Sequence, residues 1–264
     1  MKKIFKSIGY GLSVGFVLLA LLFNLLSVKR KAKKYKKDPN SIFLPDRLKL
    51  IHKVFRKALY VKRITIEAEN IESLPTKPML FIANHKSAYD PMVIFNALYE
   101  ADKLGSMSFI CKNELSAKWT TRCVIELMDG IFIQRDNGRS ILECYQKQME
   151  NIKKGYSIMV FPEGTRVRGD DFGNFQSTTL KVAFQNFIAI EPLVIYGADK
   201  PRKRGNVKTI KLVALKPVQP NNFITTQQEP LMETIKADIF AKYNELKKQS
   251  LERITNDLLN NSTR

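Results

Sequence analysis

After Arg63 the chain alternates short apolar runs with longer amphipathic stretches, and this alternation limits the folds open to it. Seven runs have the length and composition of strands: 64–68, 79–83, 108–112, 130–134, 157–161, 193–196 and 209–216. Five stretches have the period of helices: 91–99, 114–128, 139–153, 179–186 and 231–257. This order predicts an α/β fold in which one mixed, largely parallel sheet is flanked by helices. Since no repeat or low-complexity linker interrupts them, residues 64–264 are predicted to form one domain.

The basic charge of the chain is concentrated before this domain. Residues 1–63 hold 17 Lys and Arg against two acids, which gives +15 of the formal charge of +19. An enzyme that acts on nucleic acid more often spreads its bases over the domain that grips the polymer. Here the bases flank an apolar segment, so the predicted partner is anionic membrane lipid and not nucleic acid.

The apolar segment, residues 8–28, contains 21 residues and no charged side chain. As a helix it would be roughly 31 Å long, close to the hydrocarbon thickness of a bilayer. A signal peptide is disfavoured, because seven bases between Lys29 and Lys37 stand where a cleavage site should be. Residues 1–40 are therefore predicted to be a single-pass anchor, with the domain on the cytoplasmic face of the cell membrane. A hydrophobic hairpin or a helix on the membrane surface is the alternative.

Residues 41–63 contain a second helical pattern. Its apolar positions recur at helical spacing at Leu48, Ile51, Val54, Phe55, Ala58 and Leu59, and bases occupy Lys49, Lys53, Arg56 and Lys57. This pattern predicts a basic amphipathic helix in the lipid interface. The alternative is that its apolar stripe packs on the protein core, and both hold if the helix lies between the domain and the membrane.

The residues N-H-K-S-A-Y-D-P, at positions 84–91, follow a predicted strand and precede a predicted helix. Imidazole suits proton transfer near neutral pH, and a carboxylate can fix its tautomer and stabilise the imidazolium. His85 and Asp90 are therefore a candidate general base and its orienting acid. The alternative makes His85 a surface residue and Asp90 the N-cap of the helix that Pro91 begins.

Two further clusters follow predicted strands. F-P-E-G-T-R, at positions 161–166, combines a glycine that lets backbone approach a ligand with an arginine fork suited to phosphate. G-I-F-I-Q-R, at positions 130–135, brings a second arginine to a strand end. Each arginine has the alternative of a solvated loop charge.

In this order and spacing, H-x4-D, G-x4-R and F-P-E-G-T-R resemble the glycerolipid acyltransferase family, and most of all its 1-acylglycerol-3-phosphate acyltransferases. The resemblance runs from about residue 61 to residue 217. It implies that His85 is the general base on the acceptor hydroxyl and that Asp90 orients it. It implies an acceptor and phosphate site made by Arg135, Glu163, Gly164, Thr165 and Arg166, with Pro192 shaping the substrate site.

The resemblance also implies the reaction: transfer of an acyl group from an activated thioester to lysophosphatidic acid, giving phosphatidic acid. Backbone amides of the Gly164 turn would stabilise the oxyanion. The donor would be acyl-CoA or an acidic acyl-carrier protein, and no resident cofactor or metal is expected. The three cysteines, Cys111, Cys123 and Cys144, form no C-x-x-C, and two histidines are too few for an ordinary Cys/His zinc site.

Other functions remain as alternatives. Within the resemblance, the acceptor would be glycerol-3-phosphate or another lysophospholipid. A serine hydrolase would need a nucleophile such as Ser87, but the only G-x-S-x-G match, at positions 11–15, lies inside the apolar segment. A non-catalytic basic membrane adaptor would leave all three motif clusters unexplained.

Overall fold

The structure, a computed structural model, describes residues 2–199 and 206–262. The side chains of residues 2–12, and with them Lys2, Lys3, Lys6 and the start of the predicted apolar segment, lie outside its description.

Seven strands form one sheet in the order β1-β7-β6-β2-β5-β3-β4. They are β1 (Ile64–Glu69), β2 (Met79–Ala83), β3 (Met107–Lys112), β4 (Ile131–Ile133), β5 (Ser157–Val160), β6 (Ala189–Tyr196) and β7 (Lys208–Ala214). Neighbouring strands run parallel except for β6 and β7, which are antiparallel. The prediction of a mixed, largely parallel sheet is confirmed. Every residue of β2 is buried, as expected for a central strand with helices on both faces.

Helices cover both faces of the sheet. They are α1 (Lys2–Lys37), α2 (Leu44–Val61), α3 (Asp90–Glu100), α4 (Trp119–Leu127), α5 (Gly138–Lys153), α6 (Lys181–Asn186) and α7 (Gln228–Ser262). Apolar side chains of α1 to α4 share a buried cluster with one face of the sheet. Those of α5 to α7 form a second cluster on the other face. The core is therefore two apolar layers separated by the sheet.

Two of the differences between the predicted and the observed bounds have an identifiable cause. The predicted helix 114–128 is divided into a 3-10 helix, Asn113–Ala117, and helix α4, because Lys118 between them has extended backbone with φ −89° and ψ 112°. Strand β6 begins at Ala189, four residues before the predicted start. The cause is the Glu191-Pro192 pair, since charge and proline both disfavour a strand interior in sequence patterns.

The apolar stripe of α2 lies in the protein core, the alternative considered for this helix. Ile51 is fully buried, and Val54 and Phe55 are buried beside it in the cluster that contains α1, α3 and one face of the sheet. Lys49, Lys53 and Arg56 are exposed on the opposite side. The position of α2 at a lipid surface stays a prediction, and it would rest on these bases rather than on the apolar stripe.

Helix α1 has one face on the protein and one face away from it. Val28 and Ala32 are fully buried, and Leu21 and Leu25 pack partly against the same cluster. On the other side an exposed stripe recurs every three or four residues, formed by Phe16, Leu19, Phe23 and Leu26. The part Ser13–Lys37 is long and apolar enough to cross a membrane by length and composition. Helix α1 ends at Lys37, and the Asp38 side chain caps the 3-10 helix that follows, Pro39–Ser41.

Asp129 ties helices α1 and α2 to the base of the sheet. Its carboxylate accepts hydrogen bonds from Tyr35 Oη at 2.5 Å, Arg47 Nη1 at 2.9 Å and Tyr156 Oη at 2.7 Å. Its carbonyl accepts from Ser108 Oγ at 2.6 Å. We call this group, with Asp129 at its centre, the Asp129 clasp.

Candidate active site

The three motif clusters meet at one edge of the sheet. Residues 84–90 follow β2, residues 161–166 follow β5, and Arg135 follows β4 by two residues. These strands are parallel and lie within four consecutive sheet positions, so their carboxyl ends share an edge. In α/β sheets, ligands bind at this edge.

His85 and Asp90 are in direct contact. His85 Nδ1 lies 2.8 Å from Asp90 Oδ2. Because an ionised carboxylate only accepts hydrogen bonds, this contact favours a proton on Nδ1 and leaves Nε2 as the ring nitrogen that can exchange a proton with a ligand. The His85 side chain is 17% exposed and Asp90 is fully buried, so the ring reaches the surface while its partner does not.

The Asp90 carboxylate also accepts hydrogen bonds from the turn that precedes it. Oδ2 accepts from the amides of Lys86 at 2.6 Å and Ser87 at 2.7 Å, and Oδ1 accepts from Ser87 Oγ at 2.7 Å. These bonds hold the His85–Asp90 turn in one conformation. The N-cap alternative is wrong, because Tyr89 occupies the N-cap of α3 and Asp90 bonds residues that precede the helix.

Backbone contacts and one ring fix the orientation of His85. Its amide donates to Glu163 Oε1 at 2.7 Å, and its carbonyl accepts from the Val167 amide at 2.9 Å. The Phe161 ring stacks on the imidazole with centroids 4.2 Å apart and planes 20° from parallel. The loop after β5 therefore positions the histidine that follows β2.

Glu163 points into the protein. Its two carboxylate oxygens accept from the His85 amide and, at 2.9 Å, from the Gly173 amide. Burial raises the pKa of Glu163, while these two amide bonds and the charge of Lys86 act in the opposite direction. The carboxylate thus joins the loop that carries His85, which we call the histidine loop, to residues 169–173. It does not face the open edge of the site.

Two features require a glycine at position 164: a backbone conformation with positive φ, and a side chain that packs close to its Cα. Its φ is +67°, a region that favours glycine, and a Cβ there would overlap the Arg135 guanidinium. Arg135 Nη1 donates to the Gly164 carbonyl. The Gly164 amide donates to the Phe161 carbonyl at 3.0 Å, so the oxyanion donors predicted for this turn would have to be its other amides.

Thr165 and Arg166 lie on the open side of the same turn. Both are exposed. Within residues 2–199 and 206–262, neither their amides nor their side chains have a hydrogen-bond or ion-pair partner among the contacts of the structure. Two amides and one guanidinium therefore lack a partner in the described part of the chain, just before Val167, whose amide bonds the His85 carbonyl.

Lys86 is a site residue that sequence reasoning missed. It is 1% exposed, and its ammonium donates to the carbonyls of Gly169 at 3.1 Å and of Asp171. Nζ also lies 4.5 Å from the centroid of the Phe172 ring. Burial lowers the pKa of Lys86, against the nearby carboxylates led by Glu163. The lysine holds residues 169–172 against the histidine loop, and nothing in its sequence position distinguishes it from a solvated loop lysine.

The other candidate residues have different surroundings. His52 lies between α2 and α3, with Nδ1 2.9 Å from Asn96 Oδ1 and its ring stacked on Tyr99. Ser87 Oγ bonds Asp90 rather than the histidine. Pro192 lies inside β6, opposite Ile82 of β2, and not at the strand end. In the part of the chain that the structure describes, no group of His, Cys, Asp and Glu side chains could hold a metal ion.

Comparisons with known proteins agree on one family. A family model described as Acyltransferase matches residues 65–196. A probable 1-acyl-sn-glycerol-3-phosphate acyltransferase of Mycoplasma pneumoniae is 31% identical over 245 residues, covering 88% of this chain and 91% of that protein. A protein of Mycoplasma genitalium with the same description is 30% identical over 243 residues, covering 88% and 90%.

A solved structure shares the fold. The crystal structure of the 1-acyl-sn-glycerophosphate (LPA) acyltransferase from Thermotoga maritima superposes with a TM-score of 0.66 at 22% identity. The match covers 93% of this chain and 98% of that one. Since the family model spans half of the chain and the M. pneumoniae relative almost all of it, this chain belongs to the acyltransferase family.

Proposed function

We propose that this acyltransferase moves an acyl group from a thioester to the free hydroxyl of 1-acyl-sn-glycerol-3-phosphate, giving phosphatidic acid. The observation that carries the proposal is the His85–Asp90 pair, which leaves a lone pair on Nε2 at the ligand-binding edge. The choice of acceptor is supported by the descriptions of the two Mycoplasma relatives.

In the proposed reaction, His85 Nε2 takes the proton of the acceptor hydroxyl as its oxygen attacks the thioester carbonyl. Asp90 accepts a hydrogen bond from Nδ1–H throughout and stabilises the imidazolium without taking its proton. When the tetrahedral intermediate collapses, the C–S bond breaks and the imidazolium protonates the leaving thiolate. The products are an ester and a free thiol, and His85 returns to its starting state.

The oxyanion and the phosphate are assigned to the turn after β5. The exposed amides of Thr165 and Arg166 supply the donors that the carbonyl oxygen needs as it becomes charged. The Arg166 guanidinium is free to bind the acceptor phosphate, and Arg135 supports it from β4 through the Gly164 carbonyl. Glu163 and Gly164 shape this turn rather than contact the phosphate.

The donor is assigned only to a chemical class. An acyl thioester supplies a good leaving group, and both acyl-CoA and an acidic acyl-carrier protein meet this requirement. The charge of +4 on residues 64–264 is compatible with either donor. We propose no resident cofactor, because the proton steps need only His85 and Asp90.

Membrane association follows from helix α1. Its exposed stripe would lie in lipid, and the seven bases from Lys29 to Lys37 would meet anionic headgroups on the cytoplasmic side. Because the opposite face of α1 is covered by the protein, we place this part of the helix along the membrane surface rather than across the bilayer. The proposed substrate and product are both membrane lipids. A position at the membrane surface therefore brings the catalytic site to its substrate.

We expect His85→Ala to lower acyl transfer by roughly 10²-fold or more, because the general base is lost. The assay uses purified full-length protein in detergent with lysophosphatidic acid or glycerol-3-phosphate as acceptor, and with CoA or carrier-protein donors. His52→Gln, at the only other histidine of the chain, is the matched control and should retain wild-type turnover. Near-normal transfer by a folded His85→Ala protein would refute the mechanism. Preference for another acceptor would refute the substrate assignment alone.

A further inference from the structure

The corner between β3 and α4 exposes two large apolar side chains among polar residues. We call residues 112–122 the β3–α4 corner. Leu115 is 40% exposed and Trp119 is 36% exposed, although large apolar side chains are rarely placed together on a polar loop without reason. Lys112, Lys118 and Arg122 are exposed around them. The corner thus combines an apolar tip with a basic rim.

The one acidic residue of the corner, Glu114, does not neutralise the basic charge around Leu115 and Trp119. Glu114 is the one acid between Lys112 and Arg122, and it acts electrostatically on Arg135, which follows β4. Arg122 Nη1 donates to the Ser116 carbonyl at 3.3 Å, which joins the 3-10 helix to α4. This bond stabilises the conformation of the corner, whose three basic residues Lys112, Lys118 and Arg122 are exposed.

Helix α1 supplies the reference for membrane depth. Lys29 Nζ lies 5.3 Å from the centroid of the Trp119 ring. Lys29 is also the first base after the apolar segment, where the exposed side of α1 changes from Phe23 and Leu26 to lysine and arginine. Trp119 therefore lies beside the point at which the exposed side of α1, placed along the membrane surface, changes from apolar to basic residues. Tryptophan is enriched at the membrane–water interface in membrane proteins.

The corner also lies at the edge of the sheet where the strands that carry His85, Arg135 and residues 161–166 end, which we call the catalytic edge. Strand β3 ends at Lys112, and two strand spacings, about 10 Å, separate it from β2, which leads to His85. Contact of the corner with lipid would set the distance between this edge and the bilayer. One attachment along α1 alone would leave the domain free to rotate about the helix axis.

We propose that the β3–α4 corner is a second membrane contact, in which Leu115 and Trp119 enter the interface of an anionic bilayer and Lys112, Lys118 and Arg122 bind its headgroups. The proposal rests on the membrane association of α1. A bilayer is favoured over an acidic carrier protein because the apolar tip is continuous with the lipid-facing part of α1 through the Lys29–Trp119 contact.

Trp119 is the only tryptophan of the chain, so its fluorescence reports the corner without labelling. Full-length protein is reconstituted into vesicles of phosphatidylglycerol and phosphatidylcholine, with bromine on the acyl chains either near the headgroup or near the bilayer centre. We expect strong quenching by shallow bromine, weaker quenching by deep bromine and little quenching by aqueous iodide. Quenching by iodide with none by either brominated lipid overturns the proposal. Because no substrate is needed, this result does not depend on the proposed reaction.

A variant tests the same contact through activity. We expect Leu115→Glu to lower transfer to an acceptor embedded in vesicles by roughly five- to tenfold. Transfer to a water-soluble short-chain acceptor should stay within about twofold of wild type. Ile224→Glu, at an exposed apolar residue before α7, is the matched control and should change neither rate. The proposal is overturned if Leu115→Glu slows transfer only from carrier-protein donors, and does so equally with vesicle-embedded and with water-soluble acceptors. That result would make the corner a protein-docking site.

Discussion

Arg135 and Arg166 carry the same charge at the same edge of the sheet, but their surroundings differ. Arg166 is exposed, whereas Arg135 donates to the carbonyl of Gly164. We expect Arg166→Ala to raise the KM for a phosphate-bearing acceptor by roughly 10- to 100-fold, from the loss of about 1.5–3 kcal/mol of charge-assisted binding. Arg135→Ala should lower kcat as well, because the turn loses its support. Steady-state kinetics with acceptor and donor varied separately test this, and an unchanged acceptor KM in both variants contradicts the phosphate assignment.

Glu191 is a buried carboxyl that the proposed reaction does not use. It is fully buried in β6, and neither carboxylate oxygen has a hydrogen-bond partner in the described part of the chain. Burial raises the pKa of Glu191 from 4.5 to about 8. Between these values the unfolded chain releases its proton while the folded protein keeps it. Stability therefore falls as pH rises, by up to about 1.4 kcal/mol per pH unit, and levels off above the folded pKa.

We expect Glu191→Gln to remove most of this pH dependence, because the amide does not titrate. Between pH 5.5 and pH 8.0 the wild type should lose on the order of 2–3 kcal/mol more stability than the variant, or about 5 °C or more in Tm. Thermal unfolding in detergent at the two pH values measures this difference. Glu69→Gln, at an exposed glutamate of β1, should behave like wild type. Equal pH dependence in wild type and Glu191→Gln would mean that the carboxyl is ionised in the folded protein.

At the scale of elements, helix α1 serves both the membrane and the core. A protein that begins at residue 27 keeps Val28, Ala32 and the Tyr35–Asp129 bond, whereas one that begins at residue 41 loses all three. We expect the longer form to fold and to bind anionic vesicles weakly through its remaining bases, with binding that falls as salt rises. The shorter form should be less stable by several kcal/mol. Vesicle sedimentation and thermal unfolding of both forms test this, and equal stability would remove α1 from the core.

The sequence was sufficient to predict the order of the helices and strands. It was not sufficient to predict which charged side chains point into the protein. All seven strands and the main helices were predicted, because apolar period and length identify buried strands and amphipathic helices. Glu163 and Lys86 stand in polar loops, where charged residues are usually solvated, so their inward direction could not be predicted. Their partners are backbone groups of residues 169–173, about which a residue pattern carries no information. The burial of α2 was undecided for a related reason, since an amphipathic helix fits a core and a lipid surface equally well.

At the scale of the whole molecule, the Asp129 clasp makes α1, α2 and the sheet one body. It joins residues from Tyr35 to Tyr156 around a single carboxylate. The catalytic edge, the β3–α4 corner and the apolar stripe of α1 therefore keep fixed positions relative to one another. This arrangement would allow the proposed membrane contacts to orient a site that lies at the opposite end of the strands from the clasp.

The pairing of β1 has a consequence for how the protein is made. β1 lies at the edge of the sheet and pairs with β7 alone, so that Ile64 lies opposite Lys208. A ribosome adds about 5–20 residues per second, so β1 waits roughly 7–30 s for its partner to be synthesised. During that interval α1 has left the ribosome with its apolar stripe uncovered and can reach the bilayer first. The membrane would then hold the nascent chain at the surface while the catalytic edge is still incomplete, and the last strands would close the enzyme in the place where it works.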